Sequence, residues 1–339
     1  MDFIPPYSLP RENRKILLVE RSSGNPVPGD FKLQSSRLPD LGRGQILVRN
    51  LYLSADPVQR GWIANAALTP LGEVMRALAV GVVIESREAA ISSGAVVYGF
   101  FGWQDWALVN KADILSTIVV PRVAASLYAG ILGMPGVTAW LALHELAPPK
   151  AGSFTLVSTA AGAVGSVVGQ LVRHAGGCAI GLTGSDKKVE HCIKKFGYQA
   201  AFNYKTTDLG KALANIRPEG FEVFFDNTGG RILDIAIRHM ARYGRIIQCG
   251  TAATKAWNPA PMGLRNEREI LTRVLTWSGF YIFDHAAHFN EIVKKLTDLV
   301  LEGHLAYDED IESGIEQAPS ALSSLLAGEN QGKKLVFVG

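Results

Sequence analysis

Hydrophobic and polar residues follow two different rhythms along the chain. Up to about Leu127, short extended runs are separated by turns rich in glycine, proline and serine, a pattern typical of a β-rich domain. The predicted strands lie at residues 15–20, 45–53, 79–86, 95–98 and 106–109. From Gly130 onward, helical and strand-like segments alternate, which predicts a parallel, doubly wound α/β sheet.

The alternating region continues towards the end of the chain. Helices are predicted at residues 138–146, 187–196, 231–242 and 289–301, and strands at residues 222–226 and 244–249, with a further apolar run at 276–283. The last strand-like run, residues 334–338, is expected to return to the β-rich domain. The sequence therefore predicts one domain from residues 1–127 and 303–339 and a second from residues 128–302.

The stretch of residues 155–171 joins a buried strand to a helix through a turn of small residues. In this turn Gly162 would let the backbone approach a pyrophosphate, and Gly165 would let the helix pack on the strand. Ala163 and Val164 begin the helix, whose N-terminus attracts phosphate charge. The turn therefore predicts a dinucleotide site, with a tight turn that binds no ligand as the alternative.

A second strand-like run ends just before Gly184 and Ser185. An NAD-binding unit carries an acidic residue near this point to bind the ribose hydroxyls. Small residues here leave room for a 2′-phosphate, and Lys188 can supply the opposite charge. Asp186 is acidic, but its place before a helical run fits an N-cap. The sequence thus favours NADP, while a solvated surface lysine at position 188 is the alternative.

Composition narrows the class of protein. The 339 residues are 47% hydrophobic and 19% charged, which is ordinary for a globular protein of two domains. A net charge of +3, spread along the chain, argues against a nucleic-acid partner. No apolar run is long enough for a membrane span or a signal peptide. Cys178, Cys192 and Cys249 form no CxxC pair and cannot make a four-thiolate zinc site. For these three cysteines we expect a reducing, cytoplasmic location.

Ordered motifs along nearly the whole chain carry a family resemblance. They include LYLSADPVQRG at 51–61, GWQDW at 102–106, LGMPGVTAW at 132–140, AAGAVGS at 160–166, GSDKK at 184–188, FNYKT at 202–206 and DNTGG at 226–230. With them the chain resembles the medium-chain dehydrogenase/reductase superfamily and its zinc-free alkene reductases: prostaglandin and leukotriene reductases, plant alkenal double-bond reductases and bacterial curcumin reductase. The resemblance implies a Rossmann domain that binds NADP, a GroES-like β-rich catalytic domain and a homodimer.

The resemblance also implies roles for individual residues. The turn from Gly162 to Gly165 would hold the pyrophosphate, and Lys188 and Tyr204 would hold the 2′-phosphate. Relatives line the nicotinamide and its ribose, or otherwise contact the cofactor, with the residues that match Asn227, Cys249, Gly250, Phe280, Tyr281, Ile282 and Asn330. An ordinary turn asparagine is the alternative for Asn227, because two glycines follow closely.

The sequence lacks the expected ligands of a catalytic metal. Zinc alcohol dehydrogenases of this superfamily carry an early cysteine ligand, whereas the matching residues 53–57 read LSADP. The seven histidines are scattered, and His285 and His288 are the ones that follow the predicted nicotinamide-lining residues closely. We therefore expect no metal.

Without a metal, the substrate must already be electrophilic at carbon. An α,β-unsaturated ketone or aldehyde meets this requirement, because hydride addition at the β-carbon moves charge to the carbonyl oxygen as an enolate. Tyr52 matches a tyrosine that faces the substrate in relatives, and its phenol can donate to that oxygen. Packing between Leu51 and Leu53 is the alternative. We expect NADPH-dependent reduction of the C=C bond of a small enone or enal.

Trp257 marks a departure from the family pattern. Relatives often carry Tyr-Asn where this chain has Trp257 and Asn258. Indole keeps an aromatic wall but places its N–H elsewhere, so we expect Trp257 to line the substrate pocket, and the substrate range of relatives does not carry over directly. Two other functions remain open: an NADPH:quinone reductase that uses the same cleft, and a non-catalytic NADPH-binding protein.

Overall fold

The computed structural model describes residues 12–256, 259 and 261–339. Its strands are β1 (Glu12–Leu18), β2 (Phe31–Arg37), β3 (Ile46–Ser54), β4 (Ala79–Ser86), β5 (Val96–Gly99), β6 (Trp106–Val109), β7 (Ile114–Ile118), β8 (Phe154–Ser158), β9 (Cys178–Thr183), β10 (Ala200–Asn203), β11 (Phe221–Asp226), β12 (Met240–Gln248), β13 (Thr276–Gly279), β14 (Glu309–Ser313) and β15 (Lys333–Phe337).

The α-helices are α1 (Val58–Ala64), α2 (Ala125–Ala129), α3 (Met134–Leu146), α4 (Ala163–His174), α5 (Asp186–Lys194), α6 (Leu209–Ile216), α7 (Gly230–Ala236), α8 (Glu267–Arg273), α9 (Phe289–Leu301) and α10 (Ala318–Ala327). Short 3₁₀ helices lie at Pro28–Asp30, Lys111–Asp113, Ile237–His239, Ile282–His288 and Ile315–Gln317. Within the described residues, no helix combines the length and the apolar character that a membrane span requires.

The described chain divides into two compact units. The first unit contains residues 12–134, Ala286–Thr297 and Glu309–Gly339, and the second contains Pro135–His285 and Asp298–Asp308.

The first unit is built mainly from antiparallel strands. Its seven-stranded sheet has the order β14-β15-β3-β4-β5-β7, with β6 paired to residues 46–49 of β3, and β1 and β2 form a separate antiparallel pair. Alternate residues of the strands, among them Val48, Leu53, Val83 and Val97, enter a core that also contains Trp103. This alternation places one face of each strand in the core.

The second unit contains a parallel sheet with strand order β10-β9-β8-β11-β12-β13. Its central strands are apolar almost throughout, as expected for strands covered on both faces, and Leu156, Ile180, Phe224 and Ile246 belong to the core. The order reverses direction between β8 and β11, which is the signature of a doubly wound sheet. The predicted fold class, a Rossmann sheet with a second β-rich part, is confirmed.

The observed ends of some helices and strands differ from those that the sequence pattern predicts. Helix α9 has the predicted limits, but the predicted helix at 231–242 was too long, because α7 ends at Ala236 and β12 begins at Met240. The apolar run at 276–283 is a strand only as far as Gly279. Apolar residues continue beyond the last residue of α7 and of β13, so hydrophobic spacing alone does not mark where these two elements end.

A buried ion pair joins the last strand of the first unit to the segment after β3. Lys333 and Asp56 are only 4% and 2% exposed, and Lys333 Nζ lies 3.2 Å from Asp56 Oδ1. The ammonium also donates to the carbonyl oxygens of Ala55 at 2.6 Å and Lys334 at 2.9 Å, while Asp56 Oδ2 accepts from the Ser54 hydroxyl at 2.5 Å. Burial lowers the pKa of Lys333, and the charge of Asp56 opposes that shift.

Replacing Lys333 with methionine would leave the carboxylate of Asp56 buried without its cation. We expect Lys333→Met to lower the free energy of unfolding by about 3–5 kcal/mol. Lys295→Met is the matched control, because Lys295 pairs with Glu291 at an exposed site and its loss should cost about 1 kcal/mol or less. Urea denaturation followed by tryptophan fluorescence measures both, and equal losses would contradict the role of the pair.

Candidate functional site

Asp226 ends β11, at the point where the order of the parallel sheet reverses. Its fully buried carboxylate accepts hydrogen bonds from the Ser158 hydroxyl at 2.7 Å, the Thr228 N–H at 2.8 Å and the Gly229 N–H at 3.0 Å. It also accepts from Gln248 Nε2 at 3.0 Å. One carboxylate thus holds together the ends of β8, β11 and β12, where doubly wound sheets bind their ligands.

The predicted nicotinamide-lining residues Asn227, Cys249 and Gly250 gather beside this carboxylate. The Asn227 side-chain amide donates to the Ser158 carbonyl oxygen at 2.9 Å. The N–H groups of Cys249 and Gly250 donate to the Asp226 carbonyl oxygen at 2.9 and 3.1 Å. A Cβ on Gly250 would lie 2.7 Å from the Asn227 carbonyl oxygen, so the close approach of these two backbone segments requires glycine. The structure brings all three residues to one edge of the sheet.

The end of β13 contributes Phe280 to the same edge. Its N–H donates to a carbonyl oxygen of β12 at 3.1 Å, and its ring stacks on His285 with centroids 4.8 Å apart. His285 Nδ1 lies 3.4 Å from Glu145 Oε1. Tyr281 is exposed and Ile282 is buried. Of Phe280, Tyr281 and Ile282, Phe280 is therefore the residue whose backbone is hydrogen-bonded to β12 at this edge.

The predicted phosphate cradle lies between β8 and α4. Gly162 is the N-cap of α4, and Ala163, Val164 and Gly165 follow in its first turn. A Cβ on Gly162 would lie 2.8 Å from Thr159 Cγ2, and one on Gly165 would lie 2.4 Å from the Thr159 carbonyl oxygen. Backbone N–H groups and the positive helix end favour a phosphate here. These residues fit the pyrophosphate of a dinucleotide.

Thr159 shapes this cradle, although the sequence analysis missed it. Its φ of +52° places a β-branched residue in the left-handed region, which is uncommon. Its carbonyl oxygen accepts the Gly162 N–H at 2.8 Å, and its hydroxyl lies 2.9 Å from that of Thr228. Such strain concentrates at ligand sites. No sequence pattern marks a left-handed threonine.

A corner with positive charge surrounds Gly184 at the end of β9. A Cβ on Gly184 would lie 2.8 Å from the Tyr204 hydroxyl oxygen and 3.5 Å from Lys205 Cε. Burial, and then the charge of Lys205, lower the pKa of Lys188. The structure therefore places Tyr204 and a second lysine, Lys205, beside Gly184, and the charge of Lys205 acts on Lys188. Two ammonium groups and a phenol suit a phosphate with two negative charges.

Lys205 was missed by the sequence analysis. It adjoins Tyr204 in the motif FNYKT, and that adjacency was the available signal.

The prediction that Asp186 is the N-cap of the next helix was wrong. Ser185 is the N-cap, with extended backbone angles of −158° and 156° and a side chain that accepts the Lys188 N–H. Asp186 is already inside α5, and its carboxylate accepts the Asn203 side-chain amide at 2.8 Å. The cap sits one residue earlier because the chain turns helical at Asp186. The carboxylate is thereby bound to β10.

Two predicted site residues belong to the first unit. Tyr52 lies near the end of β3, opposite Val80 and Phe337, and its ring centroid is 5.1 Å from that of Phe337. It is partly exposed, so its ring is not sealed inside the core. Asn330 is 9% exposed, and its amide donates to the Gly332 carbonyl oxygen at 2.6 Å. This bond holds the turn before β15.

Trp257, the remaining predicted pocket residue, lies outside the described residues. Across the described part of the chain, no three histidine, cysteine, aspartate or glutamate side chains gather as metal ligands. Cys178, Cys192 and Cys249 are free thiols, and burial raises the pKa of Cys192 and of Cys249 to about 12.

Two family models match the chain: one described as the N-terminal domain of oxidoreductase at residues 14–117, and one described as zinc-binding dehydrogenase at residues 163–301. The 2-alkenal reductase (NADP(+)-dependent) of Nicotiana tabacum is 34% identical, with 96% of this chain and 97% of that protein covered. Prostaglandin reductase 1 of Sus scrofa is 37% identical, with 92% and 95% covered.

A solved structure agrees with these relatives. CurA from Vibrio vulnificus in complex with NADPH superposes with a TM-score of 0.87 and 31% identity, covering 96% of this chain and 99% of that one. Both the fold and the sequence are therefore shared over nearly the full length. This chain belongs to the alkene reductase branch of the medium-chain dehydrogenase/reductase superfamily.

Proposed function

We propose that this protein is an NADPH-dependent reductase that reduces the C=C bond of α,β-unsaturated ketones and aldehydes. The observation that carries the proposal is the corner around Gly184, where Lys188, Tyr204 and Lys205 would provide a site for a 2′-phosphate. The similarity to an NADP-dependent 2-alkenal reductase and to an NADPH complex supports the same cofactor and the same class of reaction.

The residues of the second unit fit the cofactor at both ends. Gly162 and Gly165 leave room for the pyrophosphate, and Asn227, Gly250 and Phe280 mark the edge that would receive the nicotinamide. When bound there, NADPH supplies a hydride. We therefore assign cofactor binding to the second unit, whose predicted limits are residues 128–302.

Tyr52 is the residue we assign to the reacting oxygen. As the β-carbon of the substrate is reduced, negative charge develops on its carbonyl oxygen, and the phenol of Tyr52 would donate a hydrogen bond to that oxygen. The donor acts without ionising, and it binds the enolate more strongly than the neutral carbonyl because the enolate oxygen is charged. The α-carbon then takes a proton to give the saturated ketone or aldehyde. No metal is assigned to this reaction.

We also propose a cytoplasmic homodimer. The three free thiols suit a reducing compartment. In the described second unit, β13 is an edge strand whose Trp277 is 43% exposed, and Leu271 of the preceding helix α8 is 77% exposed. Exposed edge strands with apolar neighbours pair readily with another copy. A two-fold axis at this edge would join the two parallel sheets.

The cofactor corner makes a prediction about selectivity. Lys188→Ala should raise the KM for NADPH by about 10- to 50-fold with a smaller change in kcat, because the 2′-phosphate is remote from the reacting carbon. Lys205→Ala should act in the same direction, whereas the KM for NADH should change little in either variant. Lys187→Ala, an exposed lysine of the same helix, is the control. Steady-state kinetics with both cofactors measure these effects, and equal wild-type efficiency with NADH would refute the assignment.

The reaction is tested by product analysis together with Tyr52→Phe. An enone should give the saturated ketone at a rate unaffected by EDTA, and Tyr52→Phe should lower kcat by about 10- to several-hundred-fold with little effect on NADPH binding. Tyr243→Phe, which removes a hydroxyl from a 67% exposed residue, is the control. An allylic alcohol as the main product would rule out conjugate reduction. A strong preference for quinones would instead support a quinone reductase.

The dimer is tested at the sheet edge. Wild-type protein should sediment at twice the chain mass of 36.5 kDa. The double variant Leu271→Lys/Trp277→Lys should raise the dissociation constant by about 100-fold, because like charges would meet across the axis. Val120→Lys, at an exposed apolar residue of the first unit, is the control. Sedimentation velocity over a concentration series distinguishes them, and an unchanged dimer in the double variant would exclude this edge.

A further inference from the structure

A row of side-chain hydrogen bonds crosses the parallel sheet near its carboxyl edge. It spans four neighbouring strands, β8, β11, β12 and β13, and each strand contributes one residue: Ser158, Asp226, Gln248 and Trp277. The Ser158 hydroxyl donates to one oxygen of Asp226, and Gln248 Nε2 donates to the other at 3.0 Å. Trp277 Nε1 donates to Gln248 Oε1 at 3.2 Å. We call these four residues the cross-strand row.

The chemistry of its two neighbours fixes the orientation of the Gln248 amide. An indole N–H can only donate and a carboxylate can only accept, so Oε1 must face Trp277 and Nε2 must face Asp226. Nε2 also donates to the Gly250 carbonyl oxygen at 2.6 Å. Both donors of the amide are therefore used, and its oxygen accepts the indole N–H.

Gln248 holds two residues of the edge that would receive the nicotinamide. Its side chain binds the Gly250 carbonyl oxygen, and its own carbonyl oxygen accepts the Phe280 N–H at 3.1 Å. A glycine peptide rotates more readily than others, because no Cβ restricts its torsion angles. Without the amide, Asp226 and Gly250 would lose the donor that they share, and the Gly250 peptide would lose a bond that sets its direction.

We propose that Gln248 is a positioning residue for the nicotinamide end of the cofactor, and that Trp277 keeps its amide in the orientation this requires. The proposal rests on the NADPH-dependent function proposed above, and it adds a residue that acts through Gly250 and Asp226 rather than by touching the substrate. The position of the nicotinamide decides how close its hydride comes to the acceptor carbon, and small displacements there lower the rate. The loss of Gln248 therefore affects this end of the site and leaves the 2′-phosphate corner intact.

Trp277 extends the cross-strand row to the outer strand of the described sheet. It lies opposite Ile246 of β12, two residues before Gln248, so the two side chains that form the hydrogen bond project from the same face. A phenylalanine at position 277 would keep an aromatic ring there but leave Gln248 Oε1 without this donor. The N–H of an exposed indole thereby acts on a carboxylate two strands away.

The test compares the whole cofactor with its adenosine half. NADP⁺ and adenosine 2′,5′-bisphosphate share the 2′-phosphate, but only NADP⁺ carries the nicotinamide. Calorimetry measures the dissociation constant of each ligand in the wild type and in Gln248→Leu. We expect Gln248→Leu to raise the dissociation constant of NADP⁺ about 10- to 50-fold and to change that of the bisphosphate by less than about twofold, because Asp226 and Gly250 lose their shared donor at the nicotinamide end.

Kinetics add a readout that a general loss of stability would not move. Gln248→Leu should raise the KM for NADH and the KM for NADPH by the same factor and lower kcat about 10-fold, whereas Lys188→Ala acts on NADPH alone. Trp277→Phe should weaken NADP⁺ binding by about 2- to 5-fold, and it tests the proposal at an exposed residue. Gln248→Glu keeps the shape of the side chain but places an acceptor beside Asp226, so it should be at least as damaging as Gln248→Leu.

Gln170→Leu is the matched control. Gln170 is buried in α4 of the same unit, and its amide also makes three hydrogen bonds. It donates to the carbonyl oxygens of Ser166 at 3.0 Å and Ala306 at 2.9 Å, and it accepts the Ala306 N–H at 2.7 Å. Its loss should lower thermal stability but leave the ratio of the two dissociation constants as in the wild type.

Equal weakening of both ligands in Gln248→Leu would overturn the proposal, as would unchanged NADP⁺ binding in that variant. Where Gln248→Leu does not fold, unchanged NADP⁺ binding in Trp277→Phe would overturn it. A wild type that binds NADP⁺ but reduces no enone would refute the proposed reaction, and the comparison of the two ligands would still decide the role of Gln248. A wild type that binds neither ligand would overturn both.

Discussion

The second unit depends on one buried carboxylate. A parallel sheet that reverses its strand order leaves a gap between the turns on either side, and Asp226 fills that gap with acceptors for Ser158, Thr228 and Gln248. A buried charge is tolerated only where hydrogen bonds replace its water. Here the donors come from the ends of β8 and β12 and from the turn that follows β11. Asn227 bonds to Ser158, which donates to this carboxylate, and the Cys249 N–H donates to the backbone carbonyl oxygen of Asp226.

The first unit handles buried charge in two different ways. Lys333 and Asp56 neutralise each other, and backbone and hydroxyl groups take up their remaining hydrogen bonds. The Cζ of Arg76 lies 4.2 Å from the centre of the Phe100 ring instead, and its buried Nε has no hydrogen-bond partner among the described residues. The Lys333 ammonium has an acceptor for each of its three N–H donors, whereas the buried Nε of Arg76 has none among the described residues. Exposure alone would not distinguish the two, since the difference lies in whether every donor has an acceptor.

The sequence predicted those parts of the site that lie within one short segment of the chain. Gly162 and Gly165 stand out because small residues at a fixed spacing between a strand and a helix have few other uses, and Lys188 follows the next strand at the expected place. Thr159 and Gln248 could not be found this way. The backbone angle of Thr159 is set by the turn around it, and Gln248 reaches Asp226 only because β12 pairs with β11 in one register. Short strands such as β2, which reads FKLQSSR and is largely exposed, owe their extended form to a partner strand rather than to their own pattern.

The two lysines near Gly184 bear on how the protein would discriminate between the oxidised and the reduced cofactor. The charge of Lys205 lowers the pKa of Lys188, and the negative charge of the proposed phosphate would offset that repulsion. That phosphate is identical in the oxidised and the reduced cofactor, and the offset is therefore the same for both. This corner sets how tightly a cofactor is held and is indifferent to its oxidation state. Any preference between the two forms has to arise at the opposite end of the strand edge, near Asn227 and Phe280, where the ring that changes charge would lie.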